Sequence, residues 1–129
     1  MAYAWSMESV YVPPGWPSEV RPPGVPLFEE TASSWLLDRC PPEYRGYPVL
    51  RRHPVVLARF ALLHVEGAQH AVRRGLSETR AVLREVVDPD VTERAVTTWQ
   101  AEEARLLAER RAVGLVEEAL RGRRFVARL

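Results

Sequence analysis

Two long stretches of this chain repeat their apolar residues at helical spacing. Between Pro54 and Val87, the positions Ala58, Leu62, Val65, Gln69, Val72, Leu76, Thr79, Leu83 and Val86 alternate steps of four and three. That is the seam of a helix packed lengthwise on another helix, interrupted only by Gln69 and Thr79. Between Pro89 and Arg121, Trp99, Leu106, Val113 and Leu120 recur every seven residues, with Ala95 and Val116 flanking them. Each segment opens with a proline, which suits a first helical turn where the amide needs no partner, and Gly122 stops the second. Asp88-Pro89-Asp90 reads as a cap and a turn so short that the two segments must run antiparallel.

The pattern therefore predicts an all-α fold built on a long antiparallel helical hairpin, with arms 54–87 and 89–121, each ~50 Å long. Folded about residue 88, it brings Leu76 near Trp99, Val72 near Leu106 and Leu57 near Leu120. Gly67 and Gly75 each weaken the first arm by ~1 kcal/mol relative to alanine. Gly75-Leu76-Ser77 marks a place for a break, with Ser77 as a fresh N-cap.

Upstream, Leu27, Phe28, Thr31, Trp35 and Leu36 form a helical stripe that predicts a short first helix over 27–40, closed by Pro41-Pro42. Residues 10–26 hold six prolines and two glycines, too many for a helix or an interior strand, so 1–26 reads as an extended arm. With Tyr3, Trp5, Tyr11 and Trp16 it is too aromatic for a free linker, since each ring gains ~1.5–3 kcal/mol on burial. The arm is expected to pack on the helices. A proline-rich ligand for a groove is the alternative, but VPPGWP lacks a P-x-x-P core with a basic flank. Residues 41–53 make a stiff, proline-bounded connector and 122–129 a basic tail, all within one domain.

Composition adds three things. At 129 residues, 47% apolar and 27% charged, the chain suits an ordinary globular domain with one core. The single cysteine, Cys40, has no partner for a disulfide or a metal knuckle, which points to a reducing, cytoplasmic setting. It sits at the C-terminal end of the predicted first helix, where the dipole raises a thiol pKa, and reads as structural. No apolar run is long enough to span a membrane, and the N-terminus lacks the pattern of a signal peptide.

The net charge of +1 hides a sorted distribution: −3 over 1–40, +4 over 41–87, −4 over 88–120 and +4 over 121–129. The two arms of the hairpin thus carry opposite fields, which favours their pairing over self-association of like arms. All eighteen basic residues are arginine, and Lys, Ile and Asn are absent. That bias points to a GC-rich genome more than to guanidinium chemistry.

Signatures of catalysis are weak. His53, His64 and His70 do not follow the spacing of a zinc or di-iron site. Glu66 and His70 lie four apart, but no nucleophile is placed beside them by local spacing. There is no glycine-rich phosphate loop and no nucleophile elbow. The expectation is a non-enzymatic protein with no cofactor, no metal and no evident small-molecule substrate.

What remains is a set of basic and apolar surfaces. Arg45, Arg51 and Arg52, among Tyr44, Tyr47 and His53, and the tail arginines Arg121, Arg123, Arg124 and Arg128 are expected at the open end of the hairpin. There they form a footprint for nucleic acid or an acidic partner. Alternatively they pair internally with Glu29, Glu30 and Asp38 and stack on the arm's rings. Val55, Val56, Phe60 and Leu63, with the Ala104, Ala108, Leu115 stripe, are candidates for a protein interface or a homodimer contact. The strings VPPGWPSEVRPPG, WLLDRCPPEYR, YPVLRRHPVVLARF and VEEALRGRRFV resemble small, uncharacterised actinobacterial proteins of similar length. That resemblance covers nearly the whole chain and implies one domain but no activity. The expected function is an interaction or accessory protein that binds another macromolecule, with nucleic-acid binding through the Arg/Tyr patch as the alternative.

Overall fold

The computed structural model describes residues 10–128. The arm residues Tyr3 and Trp5, and the reading of the N-terminus, lie outside them. Among the described residues there is no strand. Within these residues four α-helices run in order: α1 Phe28–Asp38, α2 Pro48–Arg52, α3 Pro54–Leu83 and α4 Pro89–Leu120, with a 3-10 turn at Pro42–Gly46 between the first two.

Helices α3 and α4 form the predicted antiparallel hairpin. Pro54 and Pro89 each occupy a first turn, and the chain reverses over 84–88. Val86 N–H donates to Leu83 O at 3.0 Å, and the amides of Val91 and Thr92 donate to Asp88 O. Asp88 stands at the cap position, yet its carboxylate makes no capping bond; its backbone carbonyl does the work instead. At the other end Gly122, at φ 106°, takes the left-handed conformation that lets the Gly122 and Arg123 amides reach back to Ala119 O and Glu118 O. Among the described residues three ion pairs join the arms: Arg59 to Glu117 and Glu66 to Arg110 both centre on residue 88, and Arg80 to Glu93 ties the arms near the turn.

The first arm does not break at Gly75. Helix α3 is continuous to Leu83, and the Ser77 hydroxyl donates to Arg74 O within the helix instead of capping a new one. The reason is tertiary: Gly75 is a notch for the indole of Trp99, whose Nε1 donates to Thr79 Oγ1 at 2.8 Å. Thr79, an apparent polar interruption of the seam, is buried and serves as that partner. Val86 falls in the turn and is exposed, so the seam ends at Leu83.

Helix α1 crosses the base of the hairpin. Its Phe28, Ala32, Trp35 and Leu36 are buried in one core with Leu57, Ala58, Ala61, Leu62 and Val65 of α3 and Ala112, Val113, Val116 and Ala119 of α4. Arg39, just past its end, stacks 4.3 Å over Trp35 and pairs with Glu109 of α4 at 2.7 Å. The arm packs on this base, as its aromatic content requires, but as a run of tight turns more than a straight segment. Trp16, Val20, Val25 and Phe28 each donate an N–H three residues back. Trp16 sits between Phe28 at 6.2 Å and Phe125 at 5.7 Å, so arm, first helix and tail share one aromatic contact. The Arg111 guanidinium donates to Pro14 O and fills the space a side chain on Gly15 would need. Among the described residues no element from the base reaches past Val72 and Leu106, and there the hairpin continues two helices thick.

Candidate interaction surfaces

The connector is two single turns. Leu50 of α2 is fully buried and pins it to α3, while Tyr44 lies edge-on to Phe60 at 5.9 Å and to His64 at 6.3 Å. Tyr47 follows at 6.1 Å from Tyr44. On α3, Val56, Phe60 and Leu63 recur at helical spacing on the side turned away from α4; Val56 is half-buried, and the other two are exposed. Tyr47, Val49, Phe60 and Leu63 are 50%, 51%, 42% and 54% exposed, which makes an apolar face beside the connector. Arg51 and Arg52 end α2 next to it and have no carboxylate partner among the described residues, whereas Arg45 is held by Asp38 at 2.6 Å.

The tail goes elsewhere. Because Phe125 docks on Trp16, the last residues turn back along the arm side of α4. Arg123, Arg124 and Arg128 line a groove of about 550 Å³ with Arg111, Tyr11 and Leu115. Arg123 pairs with Glu118 at 2.6 Å, and Arg121 lies 3.5 Å from Glu117. Arg124 donates to the Arg123 carbonyl. The arginines expected as one patch are thus distributed over two places, Arg45, Arg51 and Arg52 with Tyr44 and Tyr47 on α3, and the tail group on α4. Leu115 belongs to the tail groove, and Val55 is half-buried beside the base, so neither joins the Phe60 face.

A third surface lies near the tip and was not anticipated. Gly75, Thr79, Val82, Leu83 and Trp99 line an open groove of about 570 Å³ on one side of the hairpin, with Glu78 of α3 and Glu102 of α4 also in its wall. The signal in sequence is Gly75, one residue before the seam position Leu76, opposite Trp99 of the other arm.

Groups suited to chemistry are engaged or dispersed. Glu66 accepts from Arg110 at 2.8 and 3.1 Å, and no bond joins it to His70. Cys40 opens on a polar cleft of about 400 Å³ with His64, Arg39 and Glu109. Burial pushes its thiol up to about 11, with Arg45 opposing only weakly, so it is protonated at neutral pH; desolvation supplies the shift. Among the described residues no three His, Cys, Asp or Glu side chains are grouped to hold a metal ion, and no helix is long and apolar enough to cross a membrane.

Among the described residues the least exposed charge is Glu117, 6% exposed. It receives Arg59 Nε at 2.8 Å on one oxygen and Arg59 Nη2 on the other. The Arg59 hydrogen bonds hold its carboxyl below the usual range against the opposing effect of burial, and Arg121 adds to them. No family model matches the chain, and no curated protein or solved structure does, so the likeness to small actinobacterial proteins stays an expectation and no residue takes a role by transfer.

Proposed function

We propose that this chain is a non-enzymatic interaction protein, an accessory module that binds a partner protein through the outer face of α3. One observation carries the reading: exposed Tyr47 and Val49 of the connector and exposed Phe60 and Leu63 of α3 flank Tyr44 near Arg51 and Arg52, which have no carboxylate partner among the described residues. An apolar centre with an unpaired basic flank fits an amphipathic helix with acidic residues on its polar side. The lone, half-buried Cys40 favours a reducing, cytoplasmic setting for this work. The test compares tagged wild-type chain with Phe60→Asp and with the double variant Arg51→Ala, Arg52→Ala in pull-downs from the native host. A partner retained by wild type and lost by both supports the reading, and retention by Phe60→Asp ends it.

The tail groove supports a second reading, nucleic-acid binding, because Arg111, Arg123, Arg124 and Arg128 surround one concavity with Tyr11 and Phe125. Binding of an oligonucleotide that falls steeply with added salt and is lost in Arg124→Ala, Arg128→Ala would favour it over the protein-partner reading.

A further inference from the structure

The tail groove is lined by arginine with no acid among its lining residues. Three separate pieces of chain build it: Tyr11 and Pro13 of the arm, Arg111 and Leu115 of α4, and the tail from Arg123 to Val126 with Arg128. Phe125, docked on Trp16 at 5.7 Å, holds the tail in place as one wall. Most of the charge here is uncompensated. Arg123 is neutralised by Glu118 at 2.6 Å and does not count. Arg111 and Arg124 donate only to main-chain carbonyls, Pro14 O and Arg123 O, which hold a guanidinium without cancelling its charge. Arg128 has no ion pair among the described residues. Three like charges facing one groove repel one another, and an occupant rich in anionic oxygens relieves that repulsion.

We infer that this groove binds single-stranded nucleic acid, its phosphates held by Arg111, Arg124 and Arg128 and a base stacked on Tyr11. The inference rests on the second reading above, nucleic-acid binding at the tail, and narrows it to the unpaired strand. Two observations select the strand. The groove's volume, about 550 Å³, falls in the range of a site for one small ligand, roughly 300–1,000 Å³, which is room for a nucleotide or two and not for a double helix. Tyr11, 39% exposed, offers a ring that only an unpaired base can cover, since the bases of a duplex are stacked on each other. Phe125 is already engaged, between Trp16 and the Arg123 guanidinium at 5.0 Å. An acidic peptide would satisfy the charge and leave Tyr11 without a stacking partner.

The test is fluorescence anisotropy with the full chain and a labelled oligothymidylate of about twelve nucleotides, alone and annealed to oligoadenylate. The single strand binds at least ~10-fold more tightly than the duplex, and three phosphate contacts give a slope of log K against log salt of about −2. The double variant Arg124→Ala, Arg128→Ala flattens that slope to about −0.7, and Tyr11→Ala weakens binding ~10-fold while Tyr11→Phe retains it. All of these positions are exposed, and the variants keep wild-type helix content by circular dichroism. A duplex bound as tightly as the strand overturns the inference and leaves the nucleic-acid reading standing. Binding of neither overturns both. So does equal competition by polyglutamate of matching charge, which would make the groove a site for an acidic protein segment. Strand binding that keeps its full salt slope in the double arginine variant, or that Tyr11→Ala leaves untouched, also overturns the inference.

Discussion

The indole of Trp99 lies against the bare backbone of Gly75. A Cβ added to Gly75 would come 2.6 Å from Trp99 Cζ2 and 2.8 Å from Cδ2, closer than real side-chain carbons approach. One turn on, Thr79 accepts the indole N–H and donates its own hydrogen to Gly75 O. This small assembly sets the spacing of α3 and α4 in the half of the hairpin that the base does not reach. In an exposed helix alanine outperforms glycine by ~1 kcal/mol. At position 75 the order reverses: Gly75→Ala destabilises the chain by ~1–3 kcal/mol, because the ring must move out of a fitted site. Gly67 is the control, since a Cβ there meets nothing within 4 Å, and Gly67→Ala gains ~0.5–1 kcal/mol. Urea unfolding followed by circular dichroism measures both, and a Gly75→Ala chain more stable than wild type would refute the packing.

Glu117 provides a second measurable link between the arms. Glu117→Gln keeps the shape but removes the charge that both Arg59 hydrogen bonds use, and costs ~1–2 kcal/mol at neutral pH. The sign with pH follows from the lowered carboxyl pKa. The unfolded chain takes up the proton first as pH falls, so the stability from Glu117 is complete above the ordinary carboxylate range, about 4 to 5. It is lost as pH drops through the depressed native value. Wild type and Glu117→Gln should therefore differ in melting temperature at pH 7 and converge in strong acid. A difference that persists unchanged to low pH would mean that the charge is not its source.

The reversal between the arms contains a strained residue. Leu83 to Val86 form a turn closed by the Val86 amide, with Arg84 at φ −56°, ψ 131° and Glu85 at φ 65°. Those angles belong to a type II turn, whose third residue favours glycine because a Cβ there crowds the backbone. Glu85→Gly relieves a left-handed conformation that costs a side-chain-bearing residue ~1–2 kcal/mol, partly offset by glycine's freedom in the unfolded chain. The expected net gain is ~0.5–1 kcal/mol in thermal or urea unfolding. A loss of stability would show that the Glu85 side chain contributes more than its backbone strain removes.

Much of the hairpin was readable in advance because it depends on local periodicity and on prolines whose conformational effect does not vary with context. The fold about residue 88 follows from two apolar seams of like length joined by a turn that permits one direction only, and the Arg59–Glu117 and Glu66–Arg110 pairs fall in that register. The surfaces were less legible. Arg45, Arg51, Arg52 and the tail arginines share an end of the hairpin in sequence terms. Phe125, by docking on Trp16, carries the tail along one helix while Leu50 pins the connector to the other. A contact between residues over a hundred positions apart has no periodic trace.

By itself, then, the amino-acid sequence determined the helical class, the two arms and their antiparallel sense, since those follow from side-chain spacing along a chain of fixed geometry. Tertiary structure alone decided that Gly75 receives a ring instead of breaking a helix, that Thr79 and Glu117 find partners in the interior, and that α1 covers only the base of the hairpin. Each of these turns on which distant side chain arrives at a given point in space. That is settled by packing the whole chain at once, and it leaves the groove beside Trp99 open.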